Sequence, residues 1–388
     1  MRLHHLARDE RGMSIVFVGV GFMAFLAATT LAIDVGMFMT ARSQAQNAAD
    51  AGALAGATAL VFNSYTDRSA GGPAVQGAVN AARANVIMGA APSVGAGDVT
   101  FPNDANGQPN RVQVQVYRDA AHASSVPTLI GPIFGVPTVN ISALAVAEAS
   151  PTNAMTCVKP FMIPDKWSEK VDQNCKADGA WTTGSSFDEY SAKGVKCATP
   201  DVYVPADHAG YTGYTTANDT GKQLVLRAGT GSNINPSFYF SWKMPGDIGG
   251  NFYRDNIATC NQAVIHWGDP IIQEPGDKSG PTIQGIEDLI AKDPGAYWDG
   301  GCACVKGSPF GTSPRVFPIP LYDPQFYAEG KANGRPAAFK IANFLGFFAD
   351  HVSGNQIFGR ITQIVGLVDP NAAPAPVNAF AKTIRLVQ

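Results

Sequence analysis

The sequence predicts an α+β protein: a long N-terminal transmembrane helix continuing into an extracytoplasmic helix, a small α/β module, and a β-rich C-terminal domain. An uncharged apolar run covers residues 13–33 and passes without proline into an alanine-rich segment. From residue 99 onward apolar and polar residues alternate, as in RVQVQVY at 111–117. Beyond Pro151 the chain is punctuated by Gly and Pro and carries all six cysteines. The predicted boundaries are 1–12 (cytoplasmic N-terminus), 13–36 (transmembrane helix), 37–150 (stem helix with small αβ module) and 151–388 (β-rich, disulfide-braced extracytoplasmic domain).

The apolar run has the length and the flanking charges of a membrane span. Residues 13–33 carry no charge, and about 21 residues at roughly 1.5 Å each cover a hydrocarbon core of about 30 Å. Basic residues are retained on the cytoplasmic side of a membrane. Arg2, Arg8 and Arg11 precede the run, and Arg42 is the first basic residue after it. We therefore predict a single span with its N-terminus in the cytoplasm and the bulk of the chain on the other side.

Two kinds of N-terminal processing would change this topology. A secretory signal peptide has an apolar core of about 7–15 residues, which is shorter than this run. A type IV prepilin peptidase cuts after a glycine and expects Glu at the fifth residue beyond it. Gly12 is a candidate glycine, but Phe17 occupies that fifth position. We expect the span to be retained, and cleavage by either enzyme is the alternative.

Small residues form two stripes along the predicted helix. They recur every four residues in the membrane half, and alternate spacings of four and three beyond it. Small side chains let a second helix approach closely in lipid, and the outer stripe follows a heptad-like pattern. The alternative is that alanine, a good helix former, produces such stripes by chance. The predicted helix-packing residues are Ala24, Ala28, Ala32 and Gly36 in the membrane half and Ala41, Ala45, Ala48, Gly52, Ala55 and Ala59 in the outer half.

Asp34 follows directly on the apolar run. At that depth its carboxylate lies at the outer edge of the membrane. We expect it in the headgroup region, and a buried pairing role is the sharper alternative.

The rest of the N-terminal half predicts a packing helix and a small sheet. The long helix is expected to end near Tyr65, and residues 74–88 place their valines on one face of a second helix. Alternation predicts a hairpin of strands 99–101 and 111–117. A short helix at 128–134 and a strand at 138–148 follow.

The C-terminal half predicts short strands separated by Gly- and Pro-containing loops. One helix is expected at 282–291. Strands of this number and length suggest a β-rich sandwich or a mixed α+β domain. The predicted strands are 223–227, 238–242, 264–266, 315–321, 339–348, 357–367 and 383–387.

The cysteines indicate an oxidising compartment. Their number is even and all lie on the side predicted to be extracytoplasmic, so up to three disulfides are expected, with the connectivity open. Cys302 and Cys304 are too close for a comfortable mutual bridge, and we expect one of them to pair with Cys260. The competing zinc site is disfavoured because no histidine has ligand spacing near a cysteine. The disulfide candidates are Cys157, Cys175, Cys197, Cys260, Cys302 and Cys304.

Composition and motifs point away from several functional classes. Lys+Arg 28 against Asp+Glu 31 gives a net charge of −3, so no basic surface suggests nucleic acid as a partner. Signatures of serine hydrolases, zinc peptidases, phosphate loops and dinucleotide sites are missing. We therefore predict no enzyme activity, no cofactor, no metal and no catalytic residue. A calcium site would be the alternative, built from some of Asp247, Asp255, Asp269, Asp277 and Asp299.

The N-terminal motif resembles the Tad/Flp pilus-assembly proteins of the TadE/TadG-like type. It combines an Arg-Gly pair, an apolar span, an Ile-Asp-Val-Gly block and a Gln-x-Ala-Ala-Asp helix. The resemblance implies a single-pass protein of the bacterial inner membrane whose outer part, periplasmic or extracellular, serves assembly or anchoring of a thin adhesive pilus. Neither the prepilin cleavage pattern nor the DxSxS motif of a von Willebrand A domain is present. The residues that carry the motif are Arg11, Gly12, Asp34, Gly36, Gln46 and Asp50.

The function predicted from these observations is a non-enzymatic pilus-assembly subunit. Its partners are expected to be other Tad pilus-assembly membrane proteins or pseudopilins, contacted through the N-terminal helix, and a homo-oligomer is compatible with the same helix face. The alternative is a membrane-tethered periplasmic hydrolase acting on cell wall or glycan, using two carboxylates. A cleaved pseudopilin that enters the filament is a third reading. The candidate carboxylates of the hydrolase are Glu274, Asp277, Glu287 and Asp288.

Overall fold

The computed structural model describes residues 11–63, 67–104, 107–229, 233–332 and 338–387. These residues form two compact units. Unit 1 comprises 11–59, 67–148 and 385–387, and unit 2 comprises 60–63 and 149–384, apart from the gaps. The predicted cytoplasmic residues 1–10 and the predicted helix end near Tyr65 lie outside the described residues.

A 52-residue helix dominates the N-terminal part of the chain. At roughly 1.5 Å per residue it is about 78 Å long. The second helix stops four residues earlier than its predicted end at residue 88, because Asn85 adopts an extended conformation and its side chain bonds the carbonyl of Ala81. The helices are α1 (Arg11–Phe62), α2 (Pro73–Ala84), α3 (Thr216–Asp219), α4 (Gly250–Ala258), α5 (Ser279–Lys292) and α6 (Pro324–Ala332), and short 3-10 turns cover Ala96–Asp98 and Gly131–Phe134.

The strands fall into one sheet of unit 1, a large sheet of unit 2 and three short pairs. In chain order they are β1 (Val99–Thr100), β2 (Arg111–Arg118), β3 (Val126–Pro127), β4 (Thr138–Val139), β5 (Ile141–Pro151), β6 (Ala154–Met155), β7 (Phe161–Pro164), β8 (Gln223–Ala228), β9 (Phe238–Ser241), β10 (Ile265–His266), β11 (Pro270–Ile272), β12 (Tyr297–Asp299), β13 (Cys304–Lys306), β14 (Val316–Tyr322), β15 (Ala338–Ser353), β16 (Gln356–Thr362) and β17 (Lys382–Leu386).

Unit 1 packs α2 and one face of a small sheet against the outer part of α1. The sheet has the order β1-β2-β5-β17, and the predicted hairpin is formed by β1 and β2, with Val99 opposite Val114. The valines at 112, 114 and 116 are fully buried while their neighbours are partly exposed. Period-two alternation thus creates the apolar face that the module needs.

Unit 2 is built around a closed six-stranded barrel. The strands follow the order β15-β14-β7-β9-β8-β16, and β16 also pairs with β15, which closes the sheet. Closure depends on β15, whose 16 residues pair with β14 on one edge and with β16 on the other. A register shift between Ala349 and His351 bends this strand, as β-bulges do at barrel corners. The barrel replaces the sandwich that strand number alone suggested.

The predicted α+β class is confirmed. Each predicted strand has an observed counterpart, and α5 covers the predicted helix at 282–291. The prediction missed several short strands, and β7, which lies between β14 and β9, is the one that belongs to the barrel. Its sequence Phe161-Met162-Ile163-Pro164 is buried on both faces, so it shows no alternation, and such short apolar runs give no clear period.

Candidate functional site: the anchor helix and its junction with the outer module

The apolar half of α1 is not covered by any other part of the chain that the structure describes. Met23, at the middle of the run, is 72% exposed, and its apolar neighbours are similarly bare. The apolar stretch of α1 is exposed over the length needed to cross a bilayer. Within the described residues, α1 is the helix long and apolar enough to cross a membrane. An uncovered surface of this kind is a candidate membrane anchor.

The membrane half of the small-residue stripe is bare. Ala24, Ala28, Ala32 and Gly36 are all exposed. A Cβ placed on Gly36 would meet no atom within 4 Å. This half of the stripe therefore has no packing partner within the described chain.

The outer half of the stripe is occupied by the chain's own module. Gly52 lies so close to α2 and β2 that a Cβ would sit 3.1 Å from Ala78 O, Ala82 Cβ and Val114 Cγ1. At Gly56 the added atom would sit 2.7 Å from Val112 Cγ1. Small residues here permit close packing inside unit 1. Of the predicted positions, Ala41, Ala45, Ala48, Gly52 and Ala59 are buried and Ala55 is half-buried.

Asp34 fastens a distant loop to the end of the apolar run. Its Oδ1 accepts the backbone N–H of Leu129 at 2.8 Å, and its Oδ2 accepts those of Ile130 at 3.0 Å and Gly131 at 3.2 Å. Asp34 is only 5% exposed. The structure thus places the carboxylate in the buried pairing role, with backbone amides as its partners.

The loop that Asp34 holds, Thr128–Val136, is tightly folded on itself and is called the clasp loop below. Thr128 Oγ1 donates to Val136 O at 2.7 Å, and Val136 N donates to Gly131 O at 2.7 Å. A Cβ on Gly131 would lie 2.0 Å from Val136 O, so this position requires glycine. The sequence predicted a short helix here, but nothing local in it indicated the link to Asp34.

The motif residue Gln46 links α1 to the sheet of unit 1, and the motif residue Asp50 accepts a hydrogen bond from it within the helix. Gln46 Nε2 donates to Asp50 Oδ1 at 2.8 Å and to Leu144 O at 3.2 Å. Arg11 and Gly12 open α1. A third contact, Met88 N to Gln44 Oε1 at 2.7 Å, was not anticipated from the sequence. The glutamines bridge the helix to backbone groups of the sheet and of the segment after α2.

The expected pairing of Cys302 or Cys304 with Cys260 is wrong. Cys302 bonds Cys304, with Cα atoms 5.2 Å apart, inside the range of about 4.4–6.8 Å that a disulfide requires. Ala303 between them has a φ of +50°, and this turn brings both thiols together. All six cysteines are paired. The remaining bonds are Cys157–Cys260 and Cys175–Cys197.

The four carboxylates proposed for a hydrolase have mostly structural partners. Asp288 forms a two-point contact with Arg254, at 2.8 and 3.0 Å, which lowers the pKa of the carboxyl. Hydrogen bonds from Ser279 lower the pKa of Asp277. Glu274 is buried, and its Oε1 lies 3.5 Å from Lys278 Nζ. Glu287 is exposed on α5.

Among the described residues, no group of three or more His, Cys, Asp and Glu side chains is arranged to hold a metal ion. The five aspartates of the calcium alternative are therefore not brought together as such a group: Asp247, Asp255, Asp269, Asp277 and Asp299.

Unit 2 has a cleft of about 450 Å³ beside a cluster of carboxylates. Its wall includes Asp188 and Lys331. Burial, followed by the charges of Asp201 and Glu169, raises the pKa of Asp188 to about 7. Burial and the charge of Asp201 likewise raise the pKa of Glu169 to about 7. Carboxyls with raised pKa values in a cleft are candidates for acid–base chemistry, and sequence inspection missed them because they lie up to 32 residues apart.

The geometry defines a class of protein: an exposed apolar helix that is a candidate membrane anchor, joined through a buried aspartate to an α/β module and followed in the chain by a disulfide-containing unit built around a barrel. Residues 12–59 match the family described as putative Flp pilus-assembly TadE/G-like, which confirms the resemblance seen in the same residues and supports a pilus-related role. The chain matches no curated protein and no solved structure.

Proposed function

We propose that this protein is a membrane-anchored, non-enzymatic subunit for assembly or anchoring of a Tad/Flp-type pilus. Its N-terminus lies in the cytoplasm, α1 crosses the bacterial inner membrane once, and both units lie outside the cytoplasm. The match of residues 12–59 to a pilus-assembly family supports a role in pilus assembly. The disulfides support the oxidising side of the membrane for unit 2.

The observation that carries the proposal is the division of the small-residue stripe. Its outer half packs against other elements of unit 1. The residues of the membrane half remain exposed, namely Ala24, Ala28, Ala32 and Gly36. In lipid, small residues on a helix face allow a second helix to pack closely. The membrane half is therefore the surface offered to other pilus-assembly membrane proteins, pseudopilins or a second copy of this chain.

The test is a pair of glycine substitutions, each introduced into the chromosomal copy of the gene. Gly36→Leu places a bulky side chain on the stripe, and Gly19→Leu is the matched control. Neither glycine has an atom within 4 Å of its Cβ position, and at about 100° per residue they lie on different faces of the helix. Gly36→Leu should abolish recovery of the partner membrane proteins and reduce surface pili, while Gly19→Leu should leave both unchanged. Equal behaviour of the two variants contradicts the proposal.

A helix exchange separates partner binding from simple tethering. The exchange must stop at residue 33, because Ala41, Ala45 and Ala48 belong to the core of unit 1. A chain whose residues 13–33 are replaced by an unrelated span should stay in the membrane without supporting pilus assembly. Full activity of that chimera would show that the span is only a tether.

The periplasmic hydrolase is the second candidate function, and Asp188 is the observation that favours it. A carboxyl with a pKa of about 7 at the wall of a cleft has the protonation state of a general acid near neutrality. Asp188→Asn should then abolish release of fragments from cell-wall or glycan substrates. The non-enzymatic proposal expects this variant to support normal pilus assembly.

A further inference from the structure

The clasp loop exposes apolar side chains at the level where the apolar run of α1 ends. Ile133 is 79% exposed and Leu129 is 63% exposed. The surrounding sequence, VPTLIGPIFGVPTV at 126–139, contains no charged residue. The three hydrogen bonds to Asp34 keep this loop beside the first residue after the apolar run.

Seven backbone N–H groups of the loop have acceptors within the protein. Asp34 accepts three of its N–H groups, and Thr128, Ile133, Gly135 and Val136 donate theirs to carbonyls within the loop or at Pro137. Proline at 132 has no N–H to donate. Unsatisfied backbone groups are what normally exclude irregular loops from lipid. The N–H groups that donate to Asp34 or to the loop's own carbonyls are already paired, so they do not oppose contact with lipid.

We propose that the clasp loop is a second membrane contact, with Leu129 and Ile133 inserted into the interfacial layer of the leaflet from which α1 emerges. The occupant of this apolar surface is lipid, because the surface is continuous with the membrane span through Asp34. Amphipathic elements of peripheral proteins bury apolar side chains in the same layer. Contact at two points would fix the tilt and rotation of unit 1 on the membrane. The inference rests on the membrane anchor of the proposed function.

The experiment places a fluorescent probe on the full-length protein in lipid vesicles. Because all six native cysteines are in disulfides, a single introduced cysteine is the sole thiol to be labelled. Ile133→Cys reports the loop and Met23→Cys reports the middle of the span. Asn80→Cys, exposed on α2, is the control outside the membrane. Ala78, near Asn80, contacts α1 at Gly52 and Gly56, which lie about 27 Å or more beyond Asp34 along the helix.

The expected result is a blue-shifted emission at Ile133 that is quenched several-fold more by lipids spin-labelled near the headgroup than by lipids labelled deep in the chain. Met23 should show the reverse order, and Asn80 should respond to aqueous iodide alone. If Met23 is quenched by lipid but Ile133 behaves like Asn80, the loop contact is refuted and the span stands. If Ile133 is shielded from both quenchers, protein covers the loop and the proposal also fails.

Failure of the anchor gives a different result. If lipid does not quench the probe at Met23, α1 does not cross the bilayer, and the proposed function loses its anchor together with the loop contact. Leu129→Cys is the second loop variant, to be used if Ile133→Cys does not fold. Its side chain is exposed, and the hydrogen bond to Asp34 comes from its backbone and is retained.

Discussion

Asp34 and Leu129, 95 residues apart in the chain, are joined by a 2.8 Å hydrogen bond from the backbone N–H of Leu129 to the carboxylate. The contact links the first residue after the apolar run to the clasp loop of unit 1. The Ile-Asp-Val-Gly block of the N-terminal motif therefore has a structural role in unit 1. It connects the end of the candidate membrane span to the rest of unit 1.

Removing the Asp34 carboxylate should release the clasp loop. Asp34→Ala leaves the N–H groups of Leu129, Ile130 and Gly131 without this acceptor, so the loop loses the three hydrogen bonds that hold it to α1. Hydrogen exchange at these three amides should accelerate by roughly tenfold or more, because protection depends on the free energy of local opening. Asp34→Asn retains one oxygen and should show a smaller effect. Unchanged exchange in Asp34→Ala would show that other groups hold the loop.

Glycine at position 56 should be required for the packing of α1 in unit 1. A Cβ there would lie 2.7 Å from Val112 Cγ1. Overpacking costs about 1–3 kcal/mol, which exceeds the gain of about 1 kcal/mol in helix propensity. Gly56→Ala should therefore lower the thermal midpoint of the detergent-solubilised protein. Gly36→Ala, whose Cβ meets nothing within 4 Å, should leave it unchanged or raise it.

Two of the three disulfides close loops of very different length, and they should differ in their effect on stability. Cys157–Cys260 joins residues 103 apart, and Cys302–Cys304 joins residues 2 apart. Constraint of the unfolded chain grows with loop length, reaching about 4.7 kcal/mol for a loop of roughly 100 residues. The double Cys→Ser variant of Cys157 and Cys260 should lose several kcal/mol in denaturant unfolding. The same change at Cys302 and Cys304 serves as the control and should cost roughly 1–2 kcal/mol. Equal losses would contradict the chain-constraint explanation.

The carboxylate cluster of unit 2 should make stability fall as pH rises toward neutrality and above. Asp188 has its pKa raised to about 7 from 3.8, so the folded state binds its proton more tightly than the unfolded chain does. This contribution is fully present below about pH 4 and is lost as pH rises through about 7. Asp188→Asn mimics the protonated carboxyl and removes its repulsion with Glu169 and Asp201.

Asp188→Asn should accordingly stabilise the protein at pH 8, by about 1–2 kcal/mol after allowing for solvent screening, and have little effect near pH 4, where the wild-type contribution is still present. Tryptophan fluorescence can follow the unfolding, because Trp167 donates to Glu169 within the cluster. Asp207→Asn is the control, since Asp207 is paired with its neighbour His208 on the surface. A gain that does not grow with pH would show that Asp188 in the folded protein is already ionised near pH 4.

Local patterns explain why much of the fold was predictable. The strand of Arg111–Arg118 alternates because one face meets α1 and the other meets solvent, and that alternation is written in consecutive residues. The strand of Phe161–Pro164 has no such contrast, because both its faces are buried in the barrel. The position of Gln46 on the outer helix was apparent from the motif, whereas its bond to Leu144 O depends on the sheet.

The sequence by itself determined the apolar run, the continuous helix, the class of the fold and the family of the N-terminal segment, because these depend on residues close together in the chain. The tertiary structure alone decided three matters. It assigned the outer half of the small-residue stripe to the chain's own module, it chose the disulfide partners, and it gave Asp34 its backbone partners. Each of these depends on which distant segments meet when apolar surface is buried, and spacing along the chain carries no record of that.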